Sequence, residues 1–355
     1  MSASTTVLRP SDPAWDEWLQ RVPHDFYFRA GYHAFAEKMG EGRAFMVVHG
    51  TKDRFVAWPY LVCSIDDDHV DANSVYGYTG PVGKGLDDAG FRQEAWDAIC
   101  KVWKEQRLVT VFTRFHPILE NSHFCDGLQS NLATPGGVRF SVGRTVSIDL
   151  QLDREQRRRS YKKVLRQEIQ SAERAGLVLE QDHDWKYLRQ LGELYRSTMQ
   201  RNEASERYQF SDDYLASLRD ALGDTGHLAA VHMGGDPAAI LLFTVCGEVA
   251  QAHLTGVNAK FQKLSPLKVL LDGVADITRS MGARLFHLGA GRGGFEDSLF
   301  SFKCRFSPIR HSFELGRWII DQQAHDELLE TVSGNGQRLV GYFPAYRAPI
   351  SCDAP

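Results

Sequence analysis

The 355-residue sequence predicts an α/β (α+β) protein in which one supersecondary unit is written twice. Three observations predict it. Val48-His49 and Val231-His232 each stand four residues before an aspartate, Asp53 and Asp236, in a Val-His-x-x-x-Asp turn between two apolar runs. The elements around these turns follow in the same order in both halves. The separation from Thr79 to Leu108 equals that from Thr255 to Arg284, 29 residues. Order and spacing matching together point to duplication, each copy being a mixed, mostly antiparallel sheet flanked by helices.

In chain order, Phe28–Tyr32 is echoed by Phe210–Tyr214, each at a helical or loop segment. Ala44–His49 and Phe55–Trp58 form a hairpin, as do Leu228–His232 and Ala239–Phe243, because short β-rich runs flank Gly/Asp turn chemistry. Third strands are predicted at Val75–Gly80 and Ala252–Gly256. Helices follow at Phe91–Glu105 and Leu267–Met281, where apolar residues recur every three or four positions. Fourth strands lie at Val109–Phe112 and Leu285–Leu288. The domain boundary falls where Val146–Leu150 alternates as a strand, giving domains 1–150 and 151–321 and a Gly- and Pro-containing peripheral tail, 322–355.

Hydrophobic content of 43% and charged content of 24% are those of a globular protein. No apolar run is long enough for a membrane span, and the first residues lack a signal-peptide core. The six cysteines are scattered, with no CxxC pair, so neither a metal site nor a disulfide framework is signalled and the cytoplasm is the default location. A net charge of −4 excludes wholesale nucleic-acid binding while allowing a local basic patch.

Chemistry concentrates near the C-terminal end. The strand Leu285–Leu288 runs into Gly289, Gly291, Gly293 and Gly294, and then into an aromatic stretch carrying Lys303. Glycines at this density bring backbone N–H groups close to a ligand. Lys303, between Phe302 and Phe306, is half-buried if the stretch is an edge strand, and a half-buried lysine is costly unless it meets negative charge. The alternative is a lysine that snorkels to solvent. The second concentration is a charged helix from Arg154 to Gly176, where Arg158, Lys162 and Arg166 fall four apart as a stripe able to run along phosphates; a solvated helix face is the plainer reading.

Three stretches resemble the Fem-type aminoacyltransferases, the family of FemA, FemB and FemX. Ser160–Leu177 resembles the family's Arg-x-x-Ile-x-x-Ala-x-x-x-Gly-Val segment. Leu194–Asn202 resembles its Met/Tyr-x-x-Thr-x-x-Arg stretch, and Phe302-Lys303 stands where the family has Phe-Lys before an aromatic. The resemblance covers most of the chain and implies two tandem GNAT-like domains. It also implies transfer of an amino acid from aminoacyl-tRNA to an amine or hydroxyl of a peptidoglycan precursor, a peptide or a natural-product intermediate, without a cofactor. The chain departs from the pattern in having no room for the long helical hairpin of some members between Gly176 and Phe306.

On this basis Lys303 is the candidate oxyanion-stabilising charge and Asp297 the candidate base beside it. His287 is a further base candidate, with a packed core histidine as its other reading. The resemblance assigns the acceptor to Arg201, Tyr208, Tyr78 (in the Tyr-x-Gly-Pro-like segment ending at Pro81) and Phe302. The charge pattern makes Arg158, Lys162, Lys163, Arg166, Arg292 and Arg305 the candidates for tRNA phosphates. Arg201 has a plainer alternative as an ion-pair partner of Glu203 or Glu206. The rival enzyme is an acyl-CoA-dependent N-acyltransferase, which cradles pyrophosphate on a Gly-rich loop before a helix. Here that loop reads Gln262–Leu267, with Pro266 lacking an N–H. A non-catalytic binding protein on the same fold is the third reading.

Overall fold

The computed structural model describes residues 3–135, 137, 139–201, 209–333 and 342–349. In chain order the elements are β1 (Ser4–Leu8), α1 (Ala14–Leu19), α2 (Ala30–Lys38), β2 (Arg43–Gly50), β3 (Phe55–Ser64), β4 (Val70–Asn73), β5 (Val82–Lys84), α3 (Ala89–Glu105) and β6 (Leu108–Arg114). There follow β7 (Phe140–Asp149), α4 (Arg154–Ser160), α5 (Lys163–Arg174), β8 (Val178–Asp182), α6 (Leu188–Arg201), α7 (Asp212–Leu222), β9 (Gly226–Met233), β10 (Asp236–Cys246) and β11 (Val249–Val257). The chain continues through α8 (Pro266–Ser280), β12 (Leu285–Gly289), α9 (Ser298–Lys303), β13 (Arg310–Ile319) and α10 (Gln322–Ser333). Two compact units result: Met1–Val142 with Phe313–Pro355, and Gly143–Ser312. The boundary therefore falls at 142/143 rather than near 150, and the chain from Phe313 returns to the first unit.

In the first unit β1, β2, β3 and β4 lie side by side and antiparallel, and β6 joins β4 in parallel. The Val-His turn connects β2 to β3, with Val48 opposite Ala57. Helix α3 starts where Asp88 accepts the N–H groups of Gly90 and Phe91. It buries Phe91, Ala95, Trp96, Ile99, Val102 and Trp103. Trp58 of β3 meets Trp103 edge-on at 5.2 Å and Trp318 at 5.7 Å, so one aromatic cluster welds β3, α3 and β13. The second unit repeats the plan. β8, β9, β10 and β11 are antiparallel neighbours, β12 joins β11 in parallel, and β7 closes the order against β12. Its core lies between the sheet and helices α5 and α8, with Leu165, Ile169, Leu270, Val274 and Phe286 at its centre.

Four expectations are corrected. The third strand of the first unit is Val70–Asn73, not Val75–Gly80. Gly77 (φ 139°) and Gly80 (φ 107°) leave the extended region, and a Cβ on Gly77 would lie 2.1 Å from the Tyr27 ring, so the segment bends around that ring and keeps only a bridge from Thr79 to Phe115. The charged helix is two helices. Tyr161 is extended (ψ 150°), its ring packs edge-on to Phe306 at 5.5 Å, and the Lys162 N–H donates to the Arg305 carbonyl, so tertiary contacts break a run that local propensity would continue. Leu299–Lys303 is helical rather than an edge strand, because Asp297 caps it.

The fourth correction concerns the tail, which is docked rather than peripheral. Tyr346 and Ala348 are buried. Arg347 donates to both oxygens of the buried Asp71, at 2.6 and 2.8 Å, and the Tyr346 hydroxyl lies 2.8 Å from Thr110 Oγ1. Removing Arg347 leaves a buried carboxylate without its counter-charge. Arg347→Met is therefore expected to cost about 3 kcal/mol in urea unfolding at neutral pH; an unchanged midpoint would contradict the docking.

Candidate functional site

The geometry of the site begins with a strand pair that separates. β11 and β12 are in register only from Val249 to Gln251 against Leu285 to His287. Beyond that β11 stays with β10 as far as Val257, while Gly289 of β12 pairs with Val146 of β7. Backbone groups on the facing edges are thus released at one end of the second unit, where a ligand can take the place of the missing ladder.

At that end the Gly-rich loop leaves β12. Gly289 (φ 78°) turns the chain, and Gly293 and Gly294 also have positive φ. Gly291 has an ordinary φ but no room for a side chain: a Cβ there would lie 2.0 Å from the Phe295 carbonyl and 2.2 Å from the Asp297 carboxylate. The loop ends at α9, whose cap is Asp297, accepting the Phe300 N–H at 2.9 Å and the Arg292 N–H at 3.3 Å. These bonds hold the Asp297 carboxyl below the ordinary carboxylate range. The expected base is thus a structural cap, a weak proton acceptor whose oxygens are already committed.

One and a half turns on, Lys303 reaches back over the loop. Its Nζ donates to the Ala290 carbonyl at 2.6 Å and lies 3.4 Å from where a Cβ on Gly289 would stand. Burial pushes the amine down to about 8, opposed only in part by the negative charge of Asp297. Among the described residues Ala290 takes one of the three ammonium donors, leaving two for a ligand oxygen. Phe302 is half-buried, its ring 5.6 Å from that of Phe306, and packs on the core rather than presenting a face to a ligand.

Arg201 ends α6 and braces the free end of β11. Its guanidinium donates to Ser197 Oγ, Thr198 Oγ1 and the Val257 carbonyl at 2.8, 3.1 and 3.0 Å. Arg201 therefore sits where the strands have parted. Tyr208, Glu203 and Glu206 lie outside the described residues. His287 is fully buried with Nδ1 2.6 Å from Gln251 Oε1, which is the packed core histidine. Tyr78 belongs to the first unit, where its ring packs edge-on against Tyr27, His116 and Phe313 at 5.5–5.6 Å.

The basic residues divide. Arg158 turns inward to Asp272 of α8 at 2.7 Å and to Glu173 at 2.5 Å, and Arg157 is buried on Asp276. A carboxylate as buried as Asp272 requires such partners, so Arg158 belongs to the frame and not to a phosphate stripe. The helix break also takes Lys162 out of line with Arg158 and Arg166. It places the exposed Lys162 and Lys163 instead beside Arg305, whose carbonyl bonds the Lys162 N–H. Among the described residues the side chains of Arg305 and Arg292 have only long ion-pair contacts, 3.7 Å to Glu168 and 3.7 Å to Asp297. Arg166 is half-buried.

The pyrophosphate-type loop is poor in donors. Pro266 opens α8, Ser265 before it is left-handed (φ 55°), and Lys268 is engaged by Glu168 at 2.7 Å and Ser265 Oγ at 3.1 Å. Among the described residues no cluster of His, Cys, Asp and Glu is able to hold a metal ion, and no helix is long and apolar enough to cross a membrane.

Comparison with known proteins agrees with this geometry. Residues 159–297 match the sequence profile of the acetyltransferase (GNAT) domain. A crystal structure of FemX superposes with a TM-score of 0.67 at 13% identity, covering 91% of this chain and 99% of that one. The C-terminal DUF2156 domain of a proposed lysylphosphatidylglycerol synthetase from Agrobacterium fabrum gives 0.54 at 16% identity, covering 89% and 95%. A conserved protein of unknown function from Bacteroides thetaiotaomicron VPI-5482 gives 0.54 at 9% identity, covering 83% and 90%. No curated protein sequence matches the chain. The chain has the GNAT-type fold that FemX also shows, and the match to the GNAT domain profile falls in its second unit.

The cap generates a test. Asp297→Ala is expected to cost about 1 kcal/mol of stability at pH 7. Because the folded carboxyl is held below its usual range, the cap acts above the ordinary carboxylate pKa and is lost as pH falls through the folded value. The gap between variant and wild type in urea unfolding should shrink on acidification; a pH-independent gap would contradict the assignment.

Proposed function

We propose that the chain is an acyltransferase that moves an amino acid from aminoacyl-tRNA to an amine or hydroxyl acceptor. One observation carries the reading: Lys303, desolvated and tied to Ala290, stands with spare donors where β11 and β12 part. In the reaction the acceptor nitrogen or oxygen bonds to the ester carbonyl carbon, and the carbonyl oxygen takes the electron pair as an oxyanion. The adduct then collapses, the ester C–O bond breaks, and the ribose hydroxyl leaves with the proton the acceptor gives up. A fixed positive charge at the oxyanion is worth roughly 3–4 kcal/mol. Lys303 supplies it, and partial desolvation strengthens its field while leaving it protonated at neutral pH.

A tRNA donor is favoured by surface charge. Lys162, Lys163 and Arg305 gather next to α9, and Arg292 stands on the loop itself, so phosphates meet cations on the approach to Lys303. Arg201, at the free end of β11, is placed for an anionic group of the acceptor. FemX shares the fold, and the resemblance of Phe302-Lys303 to the Phe-Lys motif of the Fem-type family supports the same donor class. The second reading, acyl-CoA as donor, is favoured by the GNAT domain match and opposed by the donor-poor start of α8.

Lys303→Met is expected to lower kcat by about 10²-fold or more, with circular dichroism unchanged; a variant within threefold of wild type would sink the role. Because the charged amine is the active form, the wild-type rate should decline as pH rises through about 8; a rate that rises there would make the lysine a base. Charge reversal at Lys162 and Lys163 should weaken donor use and flatten its salt dependence, and an unchanged salt slope would return both residues to a solvated surface.

A further inference from the structure

We propose that Phe295, with Arg292 beside it, is the platform on which the adenine ring of the donor stacks; this rests on the donor reading above. Phe295 is 68% exposed, the most exposed large apolar side chain among the described residues. An exposed phenylalanine forgoes the stabilisation of burial, and here the backbone is built to present it. Its N–H donates to the Arg292 carbonyl at 3.1 Å. Its own carbonyl lies against Gly291, which only a glycine permits, and its ring edge is 3.2–3.3 Å from the position of a Cβ on Gly293. On its C-terminal side Glu296 is gripped by both arms of Arg144 at 2.7 and 2.9 Å, and Asp297 caps α9. Gly294 also has no room for movement toward Gly143, whose Cβ would stand 2.4 Å from the Gly294 carbonyl. The ring is therefore held outward on a pinned loop.

The chemistry of the surroundings selects the occupant. Arg292 is 65% exposed and among the described residues its guanidinium reaches Asp297 only at 3.7 Å, so the loop that presents the ring also carries an exposed cation. Exposed aromatic and arginine together suit a base, which stacks on the ring, and its phosphate, which meets the cation. Phe295 also lies near the reacting centre. Following the atoms from Nζ through the Ala290 carbonyl to Gly291 and across its contact reaches the Phe295 carbonyl oxygen within about 10 Å, with the ring further out on the exposed side. Both donors under discussion carry adenine. In aminoacyl-tRNA the terminal adenosine bears the reacting ester on its own ribose, whereas in acyl-CoA the adenine is separated from the thioester by a diphosphate and the whole pantetheine arm. Under the donor reading above, the occupant is the adenosine ester.

The test is equilibrium binding of three probes to wild-type, Phe295→Ala and Phe295→Trp proteins: a panel of non-hydrolysable 3′-aminoacylamido-adenosines, the same nucleosides ending a short RNA, and acetyl-CoA. The expected result is that the adenosine probes bind wild type, lose about ten-fold or more in affinity with Phe295→Ala, and keep it with Phe295→Trp. If acetyl-CoA alone binds and Phe295→Ala weakens it, the platform stands and the tRNA donor reading fails. Affinity within twofold in Phe295→Ala for every probe that binds overturns the platform and leaves the donor reading intact. The same holds if Phe295→Ala instead abolishes sedimentation with phosphatidylglycerol vesicles, which would make the ring a lipid contact. No binding of any probe to wild type overturns both.

Discussion

The hydrogen bond from Lys303 to the Ala290 carbonyl ties together the two parts of the second unit on which the site depends. For a flexible lysine to stay half-buried over a loop, the loop must stay still and the helix carrying the lysine must end in the right place. The glycines achieve the first by letting Gly291 press against Phe295 and Asp297. The Asp297 cap achieves the second by fixing where α9 starts, and so where Lys303 falls at its last turn. Burial then lowers the affinity of the amine for its proton without removing it at neutral pH, which leaves a cation with unspent hydrogen-bonding capacity at the parting of β11 and β12.

The rest of the unit can be understood as support for that parting. Helix α8 packs behind β9 and β10 and offers the buried Asp272, which draws Arg158 and Arg154 of α4 inward. That inward pull, together with Tyr161 against Phe306, breaks the charged run and leaves Lys162 and Lys163 on the outside, beside Arg305. The same sequence of charges thus serves two purposes. Its first part neutralises buried carboxylates and its second part faces solvent near α9.

Much of the fold was legible in the sequence because duplication repeats its signals. The Val-His-x-x-x-Asp turns, the helices at 91–105 and 267–281 and the fourth strands all appear where periodicity and turn chemistry place them. The errors share a cause: each is a place where tertiary contact overrides local pattern. Val75–Gly80 reads as a strand but wraps Tyr27, and the charged helix reads as continuous but is broken by Phe306 and Arg305. Phe302-Lys303 reads as alternation although Asp297, four residues before Ser301, is an N-cap signal that was available. Lys303 was legible as a residue, but its anchor is a main-chain carbonyl that no sequence pattern marks. Phe295 carries no sequence signal, because exposure cannot be read from an apolar letter next to glycines.

The most direct test is titration of the lysine itself, by NMR of 13Cε-labelled lysine with Lys303→Arg to assign the resonance. The account predicts one lysine resonance, absent from the variant, whose chemical shift turns over near pH 8. If no lysine resonance lost in the variant turns over near pH 8, Lys303 is solvated, and the site would lose the desolvated charge on which its chemistry rests.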